Sequence, residues 1–193
     1  GVTWSSSCGD WLRHFSISAD GYYNTVKDKI VALPTMYVWK MMNMGEVDIK
    51  GVDVNLSTQF RLPLRMSLLL ASTYSFQYAV DVTDPEAKNY KDQIPYTPRH
   101  SGTVSVTVEN PWVNVSYILT AVGDRYALPQ NIDRNRIDSY IEQSISINRD
   151  FRFRYFGLRL QGELLNLANV NYDVIQYYPM PGRSWRLSIC LSY

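Results

Sequence analysis

Two histidines, His14 and His100, carry all the imidazole chemistry this chain can offer. They have no spacing that would set them on one metal ion, and no metal site is expected. Ser101 follows His100, which raises the question of an activated serine. Neighbouring residues on a strand point to opposite faces, so the pair cannot meet, and no catalytic residue is expected. Asp81, Asp84, Glu86 and Asp92 offer hard oxygen ligands for calcium but lack a defined ligand spacing; a solvated loop is the simpler reading. Met36, Met41, Met42 and Met44 gather beside Tyr37 and Trp39. Soft, flexible methionine next to aromatic rings suits contact with a bulky apolar ligand, and it equally suits filling gaps between loops. Arg125, Arg134 and Arg136 present guanidinium forks to an anionic, carboxylate-rich ligand, or to Asp124, Asp133 and Asp138 close by. Trp39, Met41, Met42, Arg125, Arg134 and Arg136 are therefore the ligand-contact candidates. No cofactor is implied. Asn55-Leu56-Ser57 and Asn114-Val115-Ser116 match a glycosylation pattern only by coincidence, because both fall in mid-strand.

The elements that must position these residues are strands. In the last nine residues, Trp185 to Tyr193, every odd position is large and apolar and every even one is small or polar. Such alternation puts hydrocarbon on one face and polar groups on the other. The same pattern runs through 15–24, 52–60, 66–78, 103–108, 113–121, 140–147 and 156–164, with a partial strand at 2–5. About nine strands result, and nothing has helical periodicity. The run from Met66 to Tyr78 alternates past the roughly 9–11 residues a strand needs to cross a bilayer. Its opposite face carries serine, threonine and glutamine rather than the lysine and glutamate of a solvated surface. Lipid outside and a water-filled lumen inside fit both faces. The expectation is an all-β, antiparallel, up-and-down meander of a transmembrane β-barrel. A soluble β-sandwich that binds carbohydrate or protein is the alternative.

Connections alternate in length. Short turns fall near Cys8-Gly9-Asp10, Arg61-Leu62-Pro63, Asn110-Pro111 and Arg149-Asp150, and long ones span 25–45, 81–98, 123–136 and 169–182. Tight turns on one side and long loops on the other belong to outer-membrane barrels. Trp11, Phe60, Phe156 and Tyr193 have outward parity beside the short turns, while Tyr23, Phe76 and Tyr78 lie toward the long loops. Trp112, Phe153, Tyr155 and Arg154 break this parity.

Composition agrees. The 193 residues carry a net charge of +1 without a basic run, so no nucleic-acid partner is expected. Fifteen tyrosines and five tryptophans suit aromatic girdles at two membrane interfaces. No apolar stretch is long enough for a spanning helix. Cys8 and Cys190 are read as free thiols. Gly1-Val2-Thr3-Trp4 reads like the middle of a strand, so a piece of a longer protein is expected.

Several segments resemble one family in order and spacing. Tyr22 to Ile30 looks like a strand running into a loop of TonB-dependent outer-membrane receptors. Gly45 to Asp53 resembles that family's following G-x-x-x-x-x-G-x-E/D segment, and Ile94 to His100 its P-x-x-P-x-H approach to a strand. Gly123-Asp124-Arg125-Tyr126 resembles the next loop opening. Asn166 to Tyr172 and Tyr178 to Arg183 resemble the N-L-x-N-x-x-Y and P-x-P-G-R pair before the last strand.

The resemblance implies that residues 1–193 are the C-terminal part of a barrel of about 22 strands, with the plug and earlier strands absent. It also implies active import of a scarce nutrient such as a ferric siderophore, haem or cobalamin, and not an enzyme. Its implied partners are outer-membrane lipid, a small-molecule ligand, the energy-coupling protein TonB acting through the plug, and the barrel-assembly machinery, which reads the terminal Tyr193. Isolated, the fragment is expected to pair with another copy.

Overall fold

The computed structural model describes residues 1–8, 11–34 and 38–193, with backbone alone for 7, 8, 33 and 34. Gly9 and Asp10 of the first turn, and Met36 and Tyr37 of the methionine group, lie outside the described residues.

In chain order the strands are β1 (Val2–Cys8), β2 (Leu12–Lys27), β3 (Ile30–Pro34), β4 (Trp39–Asn43) and β5 (Glu46–Leu62). Next come β6 (Met66–Asp81), β7 (His100–Glu109), β8 (Asn114–Val122), β9 (Arg125–Tyr126) and β10 (Arg136–Ile137). The last are β11 (Tyr140–Arg152), β12 (Gly157–Leu165), β13 (Asp173–Ile175), β14 (Tyr178–Pro179) and β15 (Ser184–Ser192). Nine of them form one sheet in the order β1-β2-β5-β6-β7-β8-β11-β12-β15. Each neighbouring pair is antiparallel, so the sheet is a meander in chain order. The remaining six strands are three two-stranded hairpins or clips within the long loops: β3–β4, β9–β10 and β13–β14.

Register follows the alternation. Val52 pairs with Phe76, Leu56 with Ser72 and Phe60 with Leu68, so the apolar sets of β5 and β6 share one face. That face continues through Leu158–Leu191 and Leu160–Ile189 to the end of the sheet. The opposite face is a ladder of polar pairs. Thr107 and Ser116 hydroxyls are 2.9 Å apart, and Asn114 Nδ2 donates to Asn148 Oδ1 at 3.2 Å. Ser75 donates to Asp53, and Arg186 pairs with Glu163. Cys190 is a free thiol on this face, opposite Arg159.

Neither face is covered. Leu187, Ile189 and Leu191 remain 64–65% exposed, and all nine long strands belong to the same sheet. A sandwich would bury these residues beneath a second sheet, so that alternative is set aside. The buried apolar residues lie instead at the long-loop end: Met44, Val47, Ala79, Val80, Ile94, Ala127 and Ile137. β5 and β6 run 17 and 16 residues, so they extend well beyond a roughly 9–11 residue span, and their upper ends carry this packed layer.

Two short turns differ from the sequence expectation. The turn placed at Arg149-Asp150 lies at residues 153–156, because β11 continues through both residues to Arg152. Asp150 is instead a cross-strand partner of Arg159, which donates to it through Nε at 2.6 Å and Nη2 at 2.9 Å. Stacking of Phe153 on Phe156, with centroids 4.6 Å apart, closes the corner. Phe153, Arg154 and Tyr155 broke the parity because they are turn residues, as is Trp112. The turn placed at Arg61-Leu62-Pro63 moves on to Leu64-Arg65, both with φ near +60° (61° and 60°). At Asn110 the expectation holds, and the side-chain oxygen accepts the N–H groups of Trp112 and Val113, each at 2.9 Å.

Candidate functional site

The long loops pack into one layer at the upper end of the sheet; their spans are 28–45 (loop 1), 82–99 (loop 2), 123–139 (loop 3) and 166–183 (loop 4). Loops 1 and 2 meet at Thr83. Its hydroxyl lies 2.5 Å from both the Met44 carbonyl and Asp81 Oδ1, and it accepts the Glu46 N–H at 2.9 Å. Gly45 has φ +58°, and a Cβ there would strike the Thr83 side chain. Gly51, the second glycine of its segment, sits beneath the Tyr22 ring, where a Cβ would also strike the Phe76 carbonyl. Both glycines therefore have steric reasons to be there.

Loops 2 and 3 are joined through two backbone N–H donors. Tyr96 N donates to Tyr126 O at 2.8 Å, and Asn131 N to Asp92 Oδ2 at 3.1 Å. Loops 3 and 4 are joined by Arg125, which is buried and lies with its guanidinium 5.6 Å over the Tyr140 ring. Its Nη2 donates to the carbonyl oxygens of Asp173 at 2.6 Å and Val174 at 3.0 Å. Burial lowers the guanidinium pKa, while Tyr140, Tyr96 and Asp173 oppose that shift. Tyr172 stacks on Tyr140 with centroids 4.1 Å apart and donates to Glu142 Oε2 at 3.0 Å. Desolvation first, and the Glu142 carboxylate second, push its phenol up to about 12.

The ligand-contact candidates divide within this layer. Trp39 and Met41 share one face of β4 and are exposed. Met42, on the other face, packs against Met44, Val47, Ala79 and Ile94. Arg125 is committed to loop carbonyls, and Arg136 lies 3.6 Å from Asp124 and 3.7 Å from Asp138. Arg134 is exposed; its carbonyl accepts Gln176 Nε2 at 3.0 Å, and its guanidinium has no ion-pair partner among the described residues. Tyr193 lies beyond β15, at the opposite end of the sheet from the loops.

The remaining reactive side chains are dispersed. His100 Nδ1 is 2.9 Å from the Tyr74 hydroxyl on the apolar face, whereas Ser101 pairs with Ser75 and faces the other way. His14 pairs with Gln59 near the short-turn end. The carboxylates in and beside loop 2 serve the chain itself: Asp81, the last residue of β6, binds Thr83 and Asn89, Asp84 the Glu86 N–H, and Asp92 the Asn131 N–H. This arrangement suits non-covalent contact through exposed Trp39, Met41 and Arg134 on interlocked loops.

Sequence and fold comparisons agree with this geometry. A family model described as TonB dependent receptor-like, beta-barrel matches residues 1–167. No curated protein matches the chain significantly in sequence. Among eighteen solved chains that match in fold is the crystal structure of BauA, the ferric preacinetobactin receptor from Acinetobacter baumannii. The two superpose with a TM-score of 0.68 at 12% identity over 97% of this chain. The chain spans 28% of the length of that receptor chain, and at this identity the likeness speaks for the fold alone. Family match, sheet order and uncovered apolar face converge: this chain belongs to the TonB-dependent receptor β-barrel family, whose place is the outer membrane.

Proposed function

We propose that the chain supplies the C-terminal nine strands of a nutrient-importing outer-membrane receptor whose plug and earlier strands lie upstream. The observation that carries this reading is the polarity of the sheet, with interlocked loops at one end and short aromatic-rich turns at the other. The loop layer would face outward and hold a scarce nutrient, such as a ferric siderophore, haem or cobalamin, by contacts from Trp39, Met41 and Arg134. Met42, Arg125 and Arg136 would support those loops. Uptake is the role, not catalysis. TonB would act through the plug, and the barrel-assembly machinery would engage Tyr193 and the last strand.

As an isolated piece the sheet has free edges at β1 and β15, so two copies would pair there to satisfy backbone groups. The reading is tested by uptake of a panel of iron chelates, haem and cobalamin in cells expressing the complete receptor. Alanine at Trp39, Met41 and Arg134 should weaken binding of the imported compound by roughly 1–2 kcal/mol per residue. Unchanged affinity in all three variants would remove these loops from the binding site.

A further inference from the structure

On the apolar face of β11, β12 and β15 lies a groove of about 640 Å³ whose floor is Gly162. Gly162 pairs with Ile147 on one side and Leu187 on the other, and a Cβ built there meets nothing within 4 Å. The missing side chain therefore leaves a notch in an otherwise filled hydrocarbon surface. Leu164 and Trp185 wall the groove toward the loops, and Leu160 toward the short turn.

Arg149 stands at the short-turn end of the same groove, paired with Leu160 and lying 4.7 Å over the Phe151 ring. It has outward parity, an unusual place for a cation on a lipid-facing surface. The carboxylates of β11 and β12, Glu142, Asp150 and Glu163, all have the opposite parity. Asp150 and Glu163 are already paired with Arg159 and Arg186. Arg149 is exposed and belongs to no ion pair among the described residues. An apolar slot ending, toward the short turns, in an uncompensated cation has the chemistry of an anionic lipid site.

We infer that this groove holds an acyl chain of an anionic phospholipid of the periplasmic leaflet, with its phosphate on Arg149. The leaflet assignment rests on the sidedness proposed above, since the turn at 153–156 must be periplasmic. The open space at Gly162 also supplies a clean test, because a Cβ there meets nothing within 4 Å and a larger side chain grows from it into the groove.

The receptor carrying this chain is titrated in neutral detergent with phosphatidylglycerol, with phosphatidylcholine of the same chains and with lipopolysaccharide, and bound lipid is read by native mass spectrometry. Wild type should retain phosphatidylglycerol over phosphatidylcholine. Arg149→Gln should weaken phosphatidylglycerol roughly fivefold and abolish the preference. Gly162→Leu should weaken both phospholipids by on the order of tenfold. Equal retention of both phospholipids by wild type, or no change in either variant, would overturn the site. A preference for lipopolysaccharide would overturn the leaflet. Heat-dependent gel mobility of each protein is read in parallel: a wild type without it would overturn the closed-barrel reading itself, while an intact barrel without lipid preference overturns only the lipid site.

Discussion

Arg183 donates to the Leu167 carbonyl through both Nε at 3.0 Å and Nη2 at 2.6 Å, joining the two halves of loop 4. Its backbone N–H is bound by Asn169 Oδ1 at 2.8 Å. Buried Asn166 completes the clasp: its side chain bonds both N–H and C=O of Val170, at 2.8 and 2.9 Å, and the Pro181 carbonyl at 3.2 Å. The N-L-x-N-x-x-Y and P-x-P-G-R segments are thus complementary parts of one fastening that aims the chain into β15. Their chemistry is that of register.

Asn166→Ala should therefore loosen loop 4 without unfolding the sheet. It strands buried backbone groups and places alanine at φ +50°, a cost of about 2–4 kcal/mol. Hydrogen exchange should show faster exchange across 166–183 and unchanged protection in β5 and β6.

Arg125→Ala should separate loop 3 from loop 4. Two charge-assisted bonds to carbonyl oxygens are lost, and the local cost is about 3–5 kcal/mol. Amide exchange at 173–177 and lower affinity for the imported compound are the readouts. Arg125→Lys retains the charge but loses the planar fork, so it should restore part of the protection.

The loop 4 fastening should weaken at high pH. A phenol whose pKa is raised in the folded state adds stability that is fully present below its unfolded value of 10. That contribution is lost as pH rises toward about 12, because the unfolded loop ionises first. Protease nicking of loop 4 should therefore increase across this window. In Tyr172→Phe that dependence should disappear, with about 1 kcal/mol of local stability lost at neutral pH.

The three-residue corner after β5, Pro63 to Arg65, holds Leu64 and Arg65 at positive φ, where Asn and Gly are the favoured residues. Replacing the pair by Asn-Gly should stabilise the receptor by about 1–2 kcal/mol, read as a higher melting temperature in detergent.

The nine long strands were legible because a residue's face on a strand depends on sequence parity alone. Met66 to Tyr78 displayed its apolar set without any knowledge of its neighbours, and pairing then followed chain order. Turns were less legible where side chains from different strands decide them. Asp150 has the residue type of a turn former, but Arg159 draws it into the ladder; Leu64 and Arg65 have no turn signature at all. Of the contact candidates, Trp39, Met41 and Arg134 remain exposed, whereas Arg125 differs only through a carbonyl pair 48 and 49 residues away. Such a partnership has no signature in local sequence. The loop clasp was visible as a motif, but its bonds emerged only once 166–172 and 178–183 were folded together.

The central claim, that these strands cross the outer membrane with the long loops outside, is tested most directly by cysteine labelling of intact cells. Cys8 and Cys190 are first replaced by serine in the complete receptor, and single cysteines are introduced at Lys88 in loop 2 and at Leu64 and Tyr155 in short turns. A membrane-impermeant maleimide should label position 88 in intact cells, and positions 64 and 155 only after the outer membrane is opened. Labelling at 64 and 155 but not at 88 in intact cells, or recovery of the receptor in the soluble periplasm, would contradict the account.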